Sequence, residues 1–408
     1  MDDNWKVGIN RRANRDYWLL WSGSGLSNLG DGIRLTALPL LAATLTRDPL
    51  AVSGVLAATT APWIVFGPIG GSLVDRVDRK LLMTAGQVAR GLVVAVLAVL
   101  VAAESVSMTH LYITGAVIGL GEILVDTSSQ AAIPQLAGNM RLEKANSRLI
   151  AAELVLNDLA GGPLGAFLFA VVAFLPFGVN AGTFLAGGLL VALIRTPMQD
   201  LREPGRQNMR TDIVEGLRFV WNHEFLRGLA LVVAIANFSM GAGGSTLVLL
   251  ALEQLGTTEA QYGLMVGVGA AGGLVGALVA SRVALRIGRR WAMTTGTAAL
   301  ALGQLLLATA PDGIWATAGL SLGLFGVSLF TVVGRTLRQA LTPDRLLGRV
   351  VASFRLVGIG ALPIGALLGG WVARATGLRT PYFISSFLIA LAAILVHRVA
   401  RSIDGGVR

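Results

Sequence analysis

Cysteine is absent from the 408 residues, and histidine and lysine occur only three times each. The lack of cysteine excludes disulfides, iron–sulfur clusters and thiolate metal sites. The histidines lie far apart in the sequence, so no imidazole metal cluster is expected: they are His110, His223 and His397. No lysine completes a G-x-x-x-x-G-K loop, which excludes a Walker-type ATP site in this chain.

Charged residues are also scarce, at 14% of the chain, against about 25% in a typical soluble domain. Hydrophobic residues make up 54%, and the mean hydropathy is +0.69. A soluble protein of this length could not cover so much apolar surface. Glycine, with 52 residues, suits the close packing of transmembrane helices. The composition therefore predicts an integral membrane protein.

Twelve apolar stretches are about long enough to cross a bilayer as helices. The chain is thus predicted to be an all-α polytopic membrane protein with spans at 17–45, 50–73, 81–103, 109–136, 146–175, 178–194, 226–250, 259–281, 291–310, 313–334, 346–373 and 380–397.

Basic residues are concentrated on one side of these predicted spans. Most of the 33 Lys and Arg residues lie before span 1, after the even-numbered spans and at the C-terminus, whereas the opposite side has Arg47, Arg374 and Arg379. By the positive-inside rule, both termini are predicted to lie in the cytoplasm, with the protein in the inner membrane. The net charge of +10 is then a topology signal. It predicts contact with anionic lipids and not with nucleic acid.

The only long predicted loop, 195–225, divides the chain into two halves of six spans, 1–194 and 226–408. Landmarks recur about 200 residues apart, as with Pro163 and Pro363. Within the loop, 211–224 is predicted to form an amphipathic helix, either on the lipid surface or as a solvated tie between the halves. Two related six-span halves are typical of secondary transporters with a substrate site near the midplane.

The stretch GSLVDRVDRK at 71–80 lies between predicted spans 2 and 3. It resembles the loop signature of the major facilitator superfamily, G-x-L-x-D-R-x-G-R-K, with Asp78 in place of the second Gly. Further stretches resemble the twelve-span drug:proton antiporter branch that contains macrolide exporters and the enterobactin exporter. These are NLGDGI (28–33), QAAIPQL (130–136), LEKANSRL (142–149), VNAGTF (179–184), DIVEGLRFV (212–220) and LGRVVASFRL (347–356).

The resemblance implies two pseudo-symmetric six-helix bundles, the major facilitator fold, with spans 1, 4, 7 and 10 lining a cavity. It also implies a cytoplasmic gate formed by Gly71, Asp75, Arg76, Arg79 and Lys80, with Asp75 facing the N-terminus of span 11. For the basic residues the alternative is plain positive-inside anchoring, which we favour for Lys80. Hinge roles are implied for Gly162, Pro163 and Pro363. The span-5 antiporter motif is incomplete, since Asp158 replaces its first Gly.

Acidic residues inside predicted spans are costly and indicate function. Five of them, all in the first half, are candidate proton-coupling residues: Asp31, Glu122, Asp126, Glu153 and Asp158. Glu122 and Asp126 share one helical face, so one of them is expected to hold a proton. In an α-helix, Asp158 would point about 140° away from Glu153. The alternative is a static buried ion-pair network. Arg90, on the usually peripheral span 3, is interpreted as snorkelling to the surface.

Polar and aromatic residues within the spans are predicted to line a substrate cavity: Arg34, Asn157, Asn237, Phe238, Phe325 and Arg355. For each aromatic residue the alternative is core packing or lipid contact. The two arginines could accept an anionic group, whereas the acidic residues favour cationic or neutral substrates.

These observations predict a proton-coupled secondary transporter that exports a small amphipathic drug or secondary metabolite. The proton gradient would supply the energy, with no cofactor and no metal, and the protein is predicted to act as a monomer. The first alternative is a symporter or uniporter that takes up a small nutrient or siderophore. The second is a membrane-embedded enzyme, for which no catalytic constellation is found in the sequence.

Overall fold

The computed structural model describes residues 3–137, 140–198 and 209–401. These residues form helices joined by short connections. The helices are α1 (Asp3–Leu45), α2 (Pro49–Thr60), α3 (Pro62–Arg76), α4 (Arg79–Ala102), α5 (Met108–Leu136), α6 (Leu142–Glu153), α7 (Gly162–Val171), α8 (Leu175–Ala192), α9 (Met209–Asn222), α10 (Glu224–Gly244), α11 (Leu247–Leu249), α12 (Glu259–Ile287), α13 (Arg289–Thr309), α14 (Gly313–Leu341), α15 (Asp344–Thr376) and α16 (Thr380–Val399). Two π-helical segments, Leu154–Gly161 and Leu250–Gln254, join α6 to α7 and follow α11.

The predicted spans correspond to these helices. Within the described residues, eleven helical segments are long and apolar enough to cross a membrane, and the 43-residue α1 contains the predicted first span. Span 2 is divided into α2 and α3 at Ala61, directly before Pro62. This is expected because proline has no backbone N–H to continue the hydrogen bonds of the helix. The all-α polytopic fold is therefore confirmed.

Side chains in the connections cap the helices that follow them. Asp48 precedes Pro49 and accepts a hydrogen bond from the backbone of Leu50. Asp312 accepts from the backbone N–H groups of Ile314 and Trp315 at the start of α14. Such caps satisfy amide groups that have no partner within the helix. Between α12 and α13, Gly288 has a φ of 83°, which favours glycine.

The chain divides into two compact units. The first consists of Met1–Leu41 and Val65–Arg206, and the second of Ala42–Ile64 and Gln207–Arg408. Segment 42–64 belongs with the second unit because α2 packs on α15, where a Cβ on Gly370 would lie 2.5 Å from the hydroxyl of Ser53. Ser53 also donates to Ser245 at 3.0 Å. The boundaries predicted for the two six-span halves and their linker, at 194 and 225, remain predictions.

Helix α9, within the predicted amphipathic segment, packs on the N-terminal part of α15. A Cβ on Gly216 would lie 2.5 Å from the backbone oxygen of Arg349. The neighbouring Glu215 pairs with Arg349 and, at 4.0 Å, with Arg345. Protein contacts therefore hold one face of this helix, while Trp221 at its end is exposed.

Glycine also brings α1 close to the π-helical segment that follows α6. A Cβ on Gly32 would lie 2.8 Å from the Cα of Gly161 and closer still to the backbone oxygen of Asn157. Backbone atoms cannot move aside as a flexible side chain can. Thr36, one turn further along α1, donates to the carbonyl of Gly162 at 2.8 Å. This contact fixes the register between α1 and the fifth span.

Gly32→Ala is expected to destabilise the protein by about 1–3 kcal/mol, the range for overpacking a tight contact. The matched control is Gly182→Ala in α8, where a Cβ would meet nothing within 4 Å. Alanine is otherwise the better residue within a helix by about 0.5–1 kcal/mol. Thermal melting of the purified variants checks this. Equal melting temperatures would show that α1 tolerates a wider separation.

Candidate charged site

The first unit contains a buried ion pair between α1 and α4. The guanidinium of Arg90 donates from Nη2 to both carboxylate oxygens of Asp31, at 2.5 and 2.6 Å. Arg90 is 1% exposed and Asp31 is 8% exposed. Arg34 makes a longer contact with the same carboxylate, at 3.4 Å. The interpretation of Arg90 as a peripheral snorkelling residue is therefore wrong. The contact of Asp31 with Arg34 is the longer of its two ion pairs.

Neighbouring side chains hold Arg90 in this position. Its Nη1 donates to the hydroxyl of Ser27 at 3.1 Å, and Ser27 donates to Gln87 at 3.4 Å. The guanidinium lies 4.0 Å from the ring centre of Phe184, a favourable cation–π arrangement. A Cβ on Gly121 of α5 would lie 2.6 Å from the Arg90 side chain. Glycine at this position therefore makes room for the arginine.

The other predicted acids of the fourth span belong to the same electrostatic environment. Glu122 and Asp126 of α5 both interact with the Arg90 guanidinium through their charge, as Asp31 does. Both are partly buried. Three carboxylates are therefore grouped with two guanidiniums, those of Arg34 and Arg90. A group that has one more carboxylate than guanidinium becomes neutral when it binds one proton.

Glu153 and Asp158 are joined by a segment that departs from α-helical geometry. The segment Leu154–Gly161 is π-helical, and i→i+5 hydrogen bonding places residues five apart on the same side. Consistent with this, the charge of Glu153 acts on Asp158. The expectation that they point about 140° apart is wrong because it assumed an α-helix. Both residues are exposed on the protein surface of the first unit.

The predicted cavity residues have different surroundings. In the first unit, the side-chain oxygen of Asn157 accepts no hydrogen bond from the described residues. In the second unit, Asn237 donates to Val233 of its own helix at 2.9 Å. Phe238 is partly buried, and Phe325 packs against the hydrophobic core. The guanidinium of Arg355 lies 4.2 Å from the ring centre of Trp63.

In the 71–80 loop, the side chains of Gly71 and Asp75 lie outside the described part of the structure, and Arg76 is exposed. Arg79 donates to the carbonyls of Ala131 and Met198, at 3.0 and 2.7 Å. Lys80 donates to the carbonyl of Ile194 at 2.8 Å. These last two cations therefore bind backbone carbonyls near the ends of α5 and α8. Asp78, the departure from the signature, caps α4 by accepting from Leu81 at 2.9 Å.

The predicted hinge prolines occupy matching places in the two units. Gly162 and Pro163 begin α7, which follows the π-helical segment that contacts α1. Pro363 lies within α15, where a Cβ on Gly365 would lie 2.7 Å from the backbone carbon of Phe238 in α10. Each proline therefore lies beside a close glycine contact between the first and fifth helices of its half.

The model of the transmembrane secretion effector family (MFS_3) matches residues 12–403. The chain belongs to this family of the major facilitator superfamily. Among curated relatives of the family, multidrug efflux pump Tap of Mycolicibacterium fortuitum is 27% identical over 389 residues, which cover 92% of this chain and 94% of the relative. The enterobactin exporter EntS of Salmonella typhi is 25% identical, with coverage of 90% and 87%.

Solved structures share the fold of this family member. A point mutant of the nucleoside transporter NupG has a TM-score of 0.79 at 10% identity, covering 94% of this chain and 99% of that one. A bacterial homologue of the iron transporter ferroportin has a TM-score of 0.73 at 19% identity, covering 95% and 98%. At these identities the likeness concerns the fold alone. The major facilitator fold implied by the 71–80 signature is confirmed.

Proposed function

We propose that this protein exports a small amphipathic drug or secondary metabolite by alternating access, in exchange for protons. The observation that carries the proposal is the buried charge group around Arg90. Ionisable groups at membrane depth are costly and mark ion pathways and proton relays. The names of the relatives, a multidrug efflux pump and an enterobactin exporter, support export of such molecules.

Arg90 gives the charge group a means of coupling. It interacts with Asp31 through two short hydrogen bonds and, through charge, with Glu122 and Asp126. Protonation of Asp31 would weaken its ion pair and leave the guanidinium to the α5 carboxylates. Because interactions in a low-dielectric interior are strong, such a redistribution would change how α1, α4 and α5 pack. Proton binding and helix packing would thus be linked.

Transport into proteoliposomes tests this proposal. The protein is reconstituted with a fluorescent lipophilic cation such as ethidium as the probe substrate, and a pH gradient is imposed. Exchange predicts that substrate and protons cross the membrane in opposite directions. Movement of both in the same direction would favour the symporter, and movement of substrate without protons would favour the uniporter.

Glu122→Gln and Asp126→Asn are each expected to reduce uphill transport to the level of protein-free vesicles. Each variant removes one of the carboxylates that interact with Arg90 and keeps the side-chain shape. Glu259→Gln, in the first turn of α12 in the second unit, is the control and should transport like the unaltered protein. Full uphill transport by both variants would remove the α5 pair from the coupling site.

The protein is an integral, multi-pass membrane protein, and we propose that it lies in the inner membrane with both termini in the cytoplasm. The asymmetry of basic residues supports this orientation. Reporter fusions at Arg79 and Arg286 are expected to report a cytoplasmic location, and fusions at Thr257 and Gly377 an external one. A cytoplasmic signal at Thr257 would contradict the orientation.

Other features of the proposal follow from the transport chemistry. The proton gradient is the energy source, with no cofactor, metal, catalytic site or nucleic-acid partner, and the protein acts as a monomer among membrane lipids. Asp75 and its neighbours on the 71–80 loop would form the cytoplasmic gate. Gly162, Pro163 and Pro363 would allow their helices to bend.

A further inference from the structure

The second unit contains a cavity of its own. It is lined by parts of α10, α11, α13, α14 and α16 and is partly open to its surroundings. Its residues come from the ends of α10 and α13 and the beginnings of α14 and α16, opposite the basic loops. We propose that this cavity binds a small, neutral, largely apolar molecule that donates one hydrogen bond to Gln304.

Glycines create the space for such a molecule. A Cβ on Gly244, which lines the cavity, would meet nothing within 4 Å, and one on Gly323 would meet only ordinary contacts. Gly303 and Gly319 have a different role, because a Cβ on Gly303 would lie 2.5 Å from the backbone oxygen of Gly319. Close packing therefore explains the second pair of glycines but leaves Gly244 unexplained.

Gln304 supplies the polar contact. Its side chain lines the cavity and is 8% exposed, yet its Oε1 accepts no hydrogen bond from the described residues. A buried amide without a partner is unfavourable, above all at membrane depth. The hydroxyl of the adjacent Tyr382 already donates to the carbonyl of Gly243 at 2.7 Å. Tyr382 is thus already engaged, and the proposed occupant of the cavity supplies the donor for Gln304.

The remaining lining defines the class of ligand. Besides Gln304 and Tyr382, the lining consists of leucine, methionine, valine and glycine residues, and none of the lining residues is charged. An ion would lose its hydration without compensation there. A flat or compact apolar molecule with a single N–H or O–H group satisfies both the apolar walls and the amide. This site does not depend on proton coupling, so it goes beyond the proposed function.

Binding of 2-naphthol to the full protein in lipid nanodiscs tests this inference, with 2-methoxynaphthalene as the matched probe without a donor. We expect saturable 2-naphthol binding to the unaltered protein, with a Kd about tenfold lower than that of the methoxy compound. Gln304→Met keeps the side-chain length and should abolish this preference. Gly244→Leu should fill the cavity opening and weaken binding of both probes.

Two controls separate the cavity from partitioning into lipid. Gln339→Met changes an exposed glutamine of α14, and Gly178→Leu fills a position where a Cβ meets nothing within 4 Å. Both should bind 2-naphthol like the unaltered protein. Non-saturable uptake would overturn the site. An undiminished preference of Gln304→Met for 2-naphthol over the methoxy compound would also overturn it and would indicate that water satisfies the amide. Because Gly244→Leu leaves Gln304 intact, it tests the cavity even if Gln304→Met misfolds.

Discussion

Asp31→Asn is expected to abolish transport of the probe substrate against a gradient while part of the downhill exchange survives. Asparagine keeps an oxygen that accepts from Arg90, so the shape of the charge group is retained. It cannot bind and release a proton, and it no longer forms the ion pair at 2.5 and 2.6 Å. Removing one partner of a buried pair costs about 3–5 kcal/mol. We expect the lower end, because Glu122 and Asp126 still act on Arg90.

The measurement has two parts, since a loss of folding would also remove transport. Uphill transport is recorded under an imposed pH gradient, and exchange of labelled for unlabelled substrate is recorded without one. Asp48→Asn, on the loop before α2, is the matched control because its carboxylate is part of a more exposed contact with Arg374. Uphill transport by folded Asp31→Asn at the level of the control would show that Asp31 belongs to a static network.

Much of the fold could be predicted because the positions of apolar and charged residues along the chain determine which segments can lie in a bilayer. An apolar stretch of about 20 residues can cross a bilayer as a helix, in which its backbone groups are hydrogen-bonded within the segment. Hydropathy therefore predicts the membrane-spanning helices between α2 and α16. The burial of Asp31 follows from the same argument, since it lies well within predicted span 1. The matching of Pro163 with Pro363 was visible as a repeat in the sequence.

The partner of Asp31 could not be predicted in this way, because it depends on how α1 and α4 are rotated about their axes. The sequence did contain a signal. Gln87 and Arg90 are three residues apart and share one face of an otherwise apolar helix, which suits a buried polar face better than snorkelling. The relation of Glu153 to Asp158 was missed for another reason. Single-sequence periodicity assumes 3.6 residues per turn, and the π-helical segment departs from it.

Arg90→Met is expected to be the most destabilising single substitution in the charge group. Methionine is similar in length, so the change chiefly removes the charge. Of the ion pairs among the described residues, Asp31 would then keep the 3.4 Å contact with Arg34, and Ser27 would lose the donor at 3.1 Å. We expect a loss of about 3–5 kcal/mol in the free energy of unfolding. Arg34→Met should cost less because its contact with Asp31 is longer and single.

The double variant Asp31→Asn/Arg90→Met separates the pair from the rest of the group. If the buried ion pair accounts for the loss, the second substitution should recover stability relative to Arg90→Met alone, because no carboxylate of α1 is then left without its cation. Double-mutant cycles report such coupling between contacting residues as about 0.5–3 kcal/mol. Additive losses would mean that Arg90 stabilises the unit mainly through Phe184, Glu122 and Asp126.

A greater loss of stability from Arg34→Met than from Arg90→Met would show that Arg34, and not Arg90, is the more important partner of Asp31. Whether or not stability is recovered, the double variant should lack uphill transport, since it has no proton-binding group at position 31.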